Sequence, residues 1–412
     1  LKLSTQICLA SGPMVSRSVL ALSLFAPVAA AAAAAVAAEG PCDILGAAGN
    51  PCVAAHSTVR ALYAKYDGPL YNVSRPDGRW SKIGVREAGG FADVEAHDRF
   101  CAAGDCVISY VFDQSPNGNH LGQRHKLVNA SKLRIGVRGG QETYAMYFDP
   151  GYGYHVDKTK GIATGNEPES IYAVMSGKRY NGRCCFDYGN SETDDTDDGC
   201  GAMEAIYFGN AHWHQNTGAG EGPWVGADLE QGMYYGGGEQ TQVNNNSLPL
   251  TSDFVSLSLK GREDGFTLKG GDATQGSFRT MYDGPRPDPV IAGLCGKSGT
   301  YQPMKKQGAI ILATGGDQSN AAEGNFYEGF MATGYASDAT DAAIQQNIIG
   351  VGYRNLEEPA PACYCNGQDT SCAPHCPCQT ATGYCQGWDS PGTCDATQDR
   401  TLSGCVPQTL VV

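Results

Sequence analysis

The stretch Phe254-Val255-Ser256-Leu257-Ser258-Leu259 alternates apolar and polar side chains from Val255 onward, and a turn-forming segment rich in glycine and aspartate follows it. A period of two describes a strand that buries one face and turns the other toward polar surroundings. Outward from it, short apolar or alternating runs occupy Val107 to Phe112, Ile171 to Met175, Glu204 to Phe208, Ala309 to Ala313 and Phe326 to Met331. None is long enough for a typical helix, and glycine, asparagine and aspartate turns separate them. The composition is uniform from Cys42 to about Tyr353, which predicts an all-β sandwich. Two helices are expected to pack against it. One is read from Ala55, Val59, Leu62, Tyr63 and Tyr66 at helical spacing; the other is a segment capped by Ser337 and running through Ile344, Ile348 and Ile349.

The bulk numbers agree. A chain of 412 residues has room for a sizeable core, and 55 glycines with only 17% charged residues favour turn-rich β architecture. A net charge of -14 argues against a nucleic-acid partner, since phosphate recognition needs clustered Lys and Arg, but leaves a neutral polysaccharide compatible.

The ends of the chain differ from its middle. Residues 1–38 read as a secretory signal with upstream residues: Met14 and Arg17 precede an apolar run from Val19 to Leu24, and an alanine-rich stretch ends at Val36-Ala37-Ala38. The apolar part is too short and too rich in alanine for a membrane span, so an extracellular, membrane-free product is expected. Removing this segment deletes Cys8 and leaves 16 of 17 cysteines, an even number suited to an oxidising compartment. Sequons begin at Asn72, Asn129 and Asn245. Residues 39–356 form the expected sandwich domain and 357–362, containing Glu357-Glu358-Pro359-Ala360-Pro361, a linker. Residues 363–412 hold eight cysteines without paired CxxC motifs, which reads as a small disulfide-rich module and not as a zinc site.

The run Cys184-Cys185-Phe186-Asp187-Tyr188-Gly189-Asn190-Ser191-Glu192-Thr193, with Met203-Glu204-Ala205-Ile206-Tyr207 and Gly222-Pro223-Trp224, resembles the glycoside hydrolase family 54 α-L-arabinofuranosidases. Further matches are Asp113-Gln114-Ser115, Gly118-Asn119-His120-Leu121, Gly308 to Leu312 leading to Gly315-Gly316-Asp317, and Phe326-Tyr327-Glu328-Gly329. The resemblance covers roughly Gly40 to Tyr353. It implies a concanavalin-like β-sandwich that removes terminal arabinofuranosyl groups from arabinoxylan or arabinan with retention, using no cofactor and no metal.

Retention needs two carboxyl groups about 5 Å apart, one attacking the anomeric carbon and one protonating the leaving oxygen. In Trp224-Val225-Gly226-Ala227-Asp228-Leu229-Glu230, a strand would place Asp228 and Glu230 on one face with Leu229 opposite. The resemblance implies that Glu230 is the nucleophile and that Asp228 binds the arabinose hydroxyls. Asp317, where an apolar strand ends in a glycine turn, matches the acid/base, and Gly316 beside it matches a substrate-binding position. The resemblance further implies that Cys184 and Cys185 form a vicinal disulfide against which the sugar packs, with Trp213 on another wall. Gln231 replaces an asparagine usual in the family, and His212 to Thr217 is slightly longer than the family pattern, so an altered rim is expected. The acidic run Asp194, Asp195, Asp197 and Asp198 lacks EF-hand spacing and reads as a solvated loop. In place of the family's common β-trefoil arabinose-binding domain stands the cysteine-rich tail. Competing readings are a non-catalytic sugar-binding sandwich, which the carboxyl pair disfavours, and a β-xylosidase-type glycosidase.

The family's set of disulfides would join Cys42 to Cys52 and Cys101 to Cys106, both closing short loops, and Cys184 to Cys185. Cys200 and Cys295 are then left over in the sandwich domain. Because the tail holds an even eight, the economical expectation joins Cys200 to Cys295. Peptide mapping without reduction is expected to recover that pair; a Cys200 or Cys295 peptide linked to the tail would overturn the domain division.

Overall fold

The computed structural model describes residues 39–356 apart from 103, 213–215, 237–242, 288–294 and 296–299, together with the paired strands Gly383–Cys385 and Cys405–Pro407. The expected signal segment, the linker and the rest of the tail lie outside the described residues. No helix among the described residues is long and apolar enough to cross a membrane.

Two antiparallel sheets face each other. The larger runs Arg279–Gly284, Gly265–Asp272, Val255–Arg262, Glu169–Met175, Gly324–Thr333, Glu142–Phe148, Leu133–Gly136 and Arg354–Asn355, and Cys52–Ser57 pairs with Gly324–Thr333. The smaller runs Met233–Tyr234, Trp224–Asp228, Glu204–Gly209, Asp187–Ser191, Ala309–Leu312, Tyr154–Val156 and Gly122–Gln123. Both come from the period-two pattern. Val255, Leu257 and Leu259 point into the core between the sheets, where they meet Tyr188, Ile206, Phe208, Val225, Ile310 and Leu312 of the smaller sheet. Removing that apolar surface from water is the main force holding the sandwich together. The architecture is the all-β sandwich that the strand runs predict, and each of the six runs falls within or overlaps a strand.

The alternate residues of the larger sheet face the helix Asp338–Ile349. Ser256 Oγ donates to Gln345 Oε1 at 2.6 Å, and Lys260 and Lys269 both donate to the buried Asp341 carboxylate, at 2.5 and 2.7 Å. Ser337 caps this helix, its hydroxyl accepting the Thr340 N–H at 3.1 Å, an interaction worth about 1 kcal/mol.

The helix expected across Ala55 to Tyr66 is absent. Ala55 lies in the strand Cys52–Ser57 opposite Phe330, and the chain then turns, with Ser57 Oγ accepting the N–H groups of Val59 and Arg60. Only Ala55 of the five residues read at helical spacing belongs to this strand; Val59, Leu62, Tyr63 and Tyr66 lie in the irregular segment after it, where Val59 and Leu62 are buried in a core cluster and Tyr63 packs against them, so burial in a loop imitates the spacing of a helix. Short helices form instead at Pro41–Ala47 and Val94–Cys101.

A buried ionic cluster ties the two sheets together. Lys306 Nζ reaches Glu169 Oε1 of the larger sheet at 2.9 Å and Glu204 Oε2 of the smaller at 2.8 Å, and Arg286 takes the other Glu204 oxygen at 3.0 Å. Burial opposes the Glu204 charge, but Lys306 and Arg286 outweigh it and hold the carboxyl below its ordinary range. Removing one partner of such a cluster strands a charge in a low-dielectric interior. Lys306→Ala is therefore expected to cost about 3–5 kcal/mol, read as a lowered urea midpoint at unchanged slope.

Candidate functional site

With Tyr188, Ile206, Phe208, Val225 and Ala227 committed to the core, strand parity sends Asp187, Tyr207 and Asp228 to the opposite face of the smaller sheet. Gly189, Ala205 and Gly226 sit among them and keep this floor low; a Cβ at Gly189 would come 2.7 Å from Ala205 Cα. The vicinal disulfide Cys184–Cys185 lies at the entry to the Asp187–Ser191 strand, packed with Tyr207, Trp224, Met233 and Tyr235. Cys185 Sγ is 3.6 Å from Asp228 Oδ2. The other pairs in the sandwich domain are Cys42–Cys52, Cys101–Cys106 and Cys200–Cys295.

The strand expected to carry both Asp228 and Glu230 ends at Asp228. Glu230 and Gln231 occupy the left-handed region, with φ of 58° and 59°, each at a cost of about 1–2 kcal/mol for a side-chain-bearing residue. Four hydrogen bonds hold this turn: Glu230 N–H to Asp228 Oδ1 at 3.0 Å, Leu229 N–H to the Gly232 carbonyl at 3.2 Å, Gly201 N–H to the Leu229 carbonyl at 2.7 Å, and Tyr301 O–H to the Gln231 carbonyl at 3.0 Å. The turn, and not strand alternation, brings Glu230 beside Asp228 while Leu229 fills the core. Backbone strain so tightly held is a mark of functional sites.

Asp317 stands on the turn after Ala309–Leu312, exposed, with Oδ1 accepting the Ser319 N–H at 2.9 Å and its hydroxyl at 2.5 Å. A Cβ on Gly315 would lie 3.0 Å from Asp317 Oδ1 and 3.3 Å from Cys185 Sγ, so the turn abuts the disulfide. At Gly316 a Cβ would overlap Glu192 Oε2, which makes glycine obligatory there while Glu192 keeps its place. Arg124, its side chain only 4% exposed, donates to the Gly316 carbonyl at 3.0 Å and pairs with Asp195. The acidic loop is solvated at Asp194, Asp197 and Asp198 and also makes side-chain contacts: Asp195 pairs with Arg124, Asp197 accepts from the Gln231 amide and Asp198 from that of Gln307. Glu230, Asp228, Gln231, Gly316, Asp317, Cys184 and Cys185 are brought to one place; Trp213 lies outside the described residues.

Two further acids share this place. Asp187 and Glu192 are buried, and no N–H or hydroxyl of another described residue donates to their oxygens. Asp187 instead meets the Asp228 carboxyl and Glu192 meets that of Glu230. Burial, reinforced by the charge of Asp228, drives Asp187 well above its ordinary range. Burial likewise lifts Asp228 to about 7, with Asp317 and Asp197 adding repulsion. Burial and then the charges of Asp228 and Glu192 push Glu230 up to about 12, while burial raises Glu192 to about 7 against the lowering effect of its contact with Glu230, so the proton of this pair resides on Glu230. Facing carboxyls cannot both be ionised at contact, so each pair retains a proton into the neutral range. The motif from Cys184 to Thr193 contains both Asp187 and Glu192; parity relative to the core residue Tyr188 was the signal that could have marked Asp187.

A family model described as "Alpha-L-arabinofuranosidase B, catalytic" matches residues 41–354. The alpha-L-arabinofuranosidase B of Aspergillus niger is 45% identical over 352 residues, 82% of this chain and 66% of that one. An alpha-L-arabinofuranosidase of Hypocrea jecorina is 43% identical over 337 residues, 78% of this chain and 64% of the relative. A crystal structure of an arabinofuranosidase complexed with arabinofuranosyl-alpha-1,2-xylobiose superposes with a TM-score of 0.72 at 42% identity, covering 77% of this chain and 66% of that one. The chain therefore spans just under two thirds of the length of the relatives it matches.

An acid that binds protons more tightly folded than unfolded favours the folded state below the ordinary carboxylate range and costs stability as pH rises through its folded value. For Asp228 and Glu192 that window runs from the ordinary carboxyl range to about 7. Asp187→Asn replaces the shared proton with a permanent amide donor. Its urea midpoint is expected to fall less between pH 4.5 and 7.5 than that of the wild type; parallel pH dependences would refute the shared-proton arrangement.

Proposed function

The chain belongs to the family of the alpha-L-arabinofuranosidase B catalytic domain, and from that membership we propose that it is a retaining α-L-arabinofuranosidase acting on terminal non-reducing arabinofuranosyl groups. The observation that carries this reading is the convergence of Asp228, Glu230 and Asp317 with the Cys184–Cys185 disulfide above the floor of the smaller sheet. Glu230 is the nucleophile and Asp317 the acid/base. The exposed Asp317 stands where a leaving group and then water can arrive. Asp228, with Oδ1 accepting the Glu230 N–H and Oδ2 beside Cys185 Sγ, is the residue that meets the sugar hydroxyls. Cys184, Cys185, Gly316 and Gln231 line the pocket, and Trp213 completes a wall. The relative's complex with arabinofuranosyl-alpha-1,2-xylobiose supports arabinoxylan as a substrate, beside arabinan. Residues 1–38 serve export to the extracellular space, 39–356 carry the chemistry, and 363–412 fold as a separate disulfide-rich module after the 357–362 linker.

In the first step Glu230 attacks the anomeric carbon while Asp317 protonates the departing oxygen; in the second Asp317 takes a proton from water, which displaces Glu230. Glu230→Gln and Asp317→Asn are each expected to lower kcat on 4-nitrophenyl α-L-arabinofuranoside by several orders of magnitude while leaving the circular dichroism spectrum unchanged. Asp317→Asn is expected to be rescued by azide in the second step. The first product observed by proton NMR should keep its anomeric configuration. Near-normal turnover in either variant, or inversion, overturns the assignment.

A further inference from the structure

Asp317 rides on a turn whose backbone is partly strained and partly loose. Ala313 and Gln318 sit in the left-handed region at φ of 59° and 74°, and Gly315 and Gly316 stand immediately before Asp317. The turn closes on itself, with Gln318 N–H to the Gly315 carbonyl at 3.2 Å and Gly315 N–H to the Ser319 carbonyl at 2.8 Å. The peptide that leads from Gly316 into Asp317 is held from outside it. Its carbonyl accepts from Arg124 Nη2 at 3.0 Å. Two glycines in sequence leave the direction of such a peptide to whatever grips it.

Arg124 is well placed to grip. It follows the strand Gly122–Gln123 at the edge of the smaller sheet, and its N–H donates to the Gly153 carbonyl at 3.1 Å. The next residue, His125, reaches the turn as well, with Nε2 3.2 Å from Thr314 Oγ1. The other arm of the guanidinium is committed: Nη1 lies 2.9 Å from His155 Nδ1 and pairs with Asp195. His155, Asp157 and Asp195 bring their polar atoms within 4.8 Å of one another, and Arg124 sets its cation against two of them. Asp195 belongs to the same loop as Asp197, which accepts from the amide of Gln231, the neighbour of Glu230. One guanidinium thus joins the turn of Asp317 to a loop that also touches the turn of Glu230.

We propose that Arg124 is a positioning residue for the general-acid step, holding the Gly316–Asp317 peptide so that the Asp317 carboxyl meets the leaving oxygen. The inference rests on Asp317 being the acid/base. In the first step the bond from the anomeric carbon to the leaving oxygen breaks, its electron pair goes to that oxygen, and the Asp317 proton neutralises it. A sugar hydroxyl leaves poorly and needs that proton in the transition state. 4-Nitrophenolate spreads the charge over its ring and needs it far less. A displaced proton donor therefore penalises the first kind of substrate and spares the second, whereas a damaged nucleophile or a loosened fold penalises both. Lysine does not substitute here, because one ammonium cannot reproduce a fork that takes the carbonyl with one arm and Asp195 with the other.

The test measures kcat/KM, which reports the steps up to departure of the leaving group, for the wild type, Arg124→Ala and Arg124→Lys in the full chain. The two substrates are arabinofuranosyl-alpha-1,2-xylobiose and 4-nitrophenyl α-L-arabinofuranoside, with circular dichroism and urea midpoints to establish folding. Arg124→Ala is expected to lose about thirtyfold or more on the first and less than about fivefold on the second. Arg124→Lys should show the same split, the ratio of the two values falling by about fivefold or more. Equal losses on both substrates, or wild-type values on both, overturn the proposal. If Arg124→Ala fails to fold, the ratio for Arg124→Lys decides. Asp317→Asn separates the two readings: without a split in that variant the acid/base assignment itself fails, and a split there beside none in the Arg124 variants rejects the role of Arg124 alone.

Discussion

Burial of one face of the smaller sheet constrains everything else in the site. Once Tyr188, Ile206, Phe208, Val225 and Ala227 are sealed against the larger sheet, every second residue of the same strands must leave on the other side. Asp187 and Asp228 reach the pocket floor because their neighbours in sequence are needed in the core. The Lys306 cluster, holding Glu169 of one sheet and Glu204 of the other, fixes the sheets against each other and makes that commitment rigid. Precision in the pocket is inherited from packing beneath it.

Onto that floor the structure crowds five acids without a basic residue paired to any of their carboxyls among the described contacts. The electrostatic cost is limited by protons held in common within Asp187–Asp228 and Glu192–Glu230. The guanidinium of Arg124 is spent on the Gly316 carbonyl and Asp195.

Much of this was readable from sequence, and the failures have physical reasons. Short apolar or alternating runs bounded by glycine, asparagine and aspartate turns located the strands, although most of these strands are buried on both faces. The Ala55 segment misled because Val59 and Leu62, in the irregular chain after the strand, are buried with Tyr63 packed against them, an apolar spacing that a helix would also produce. Asp228 and Glu230 were found together, but through a strand that ends between them; left-handed backbone at non-glycine residues leaves little trace in composition. Asp187 and Glu192 escaped notice because an isolated acid in a strand looks like a solvated one until its burial is known. Arg124 was invisible for the converse reason: its partners, Asp195 and the Gly316 carbonyl, stand far away in the chain.

The fit of Glu192 beneath Gly316 also bears on how such a pocket can evolve. Any side chain at Gly316 would collide with the Glu192 carboxyl where it now stands, while shortening Glu192 alone would remove the group that this turn packs against. Neither position can drift by itself without passing through a damaged intermediate, so the two are expected to change as a pair or not at all. Among homologues, a lineage that has lost glycine at this point should have replaced the buried acid as well, leaving a paired record of substitution in place of two independent ones.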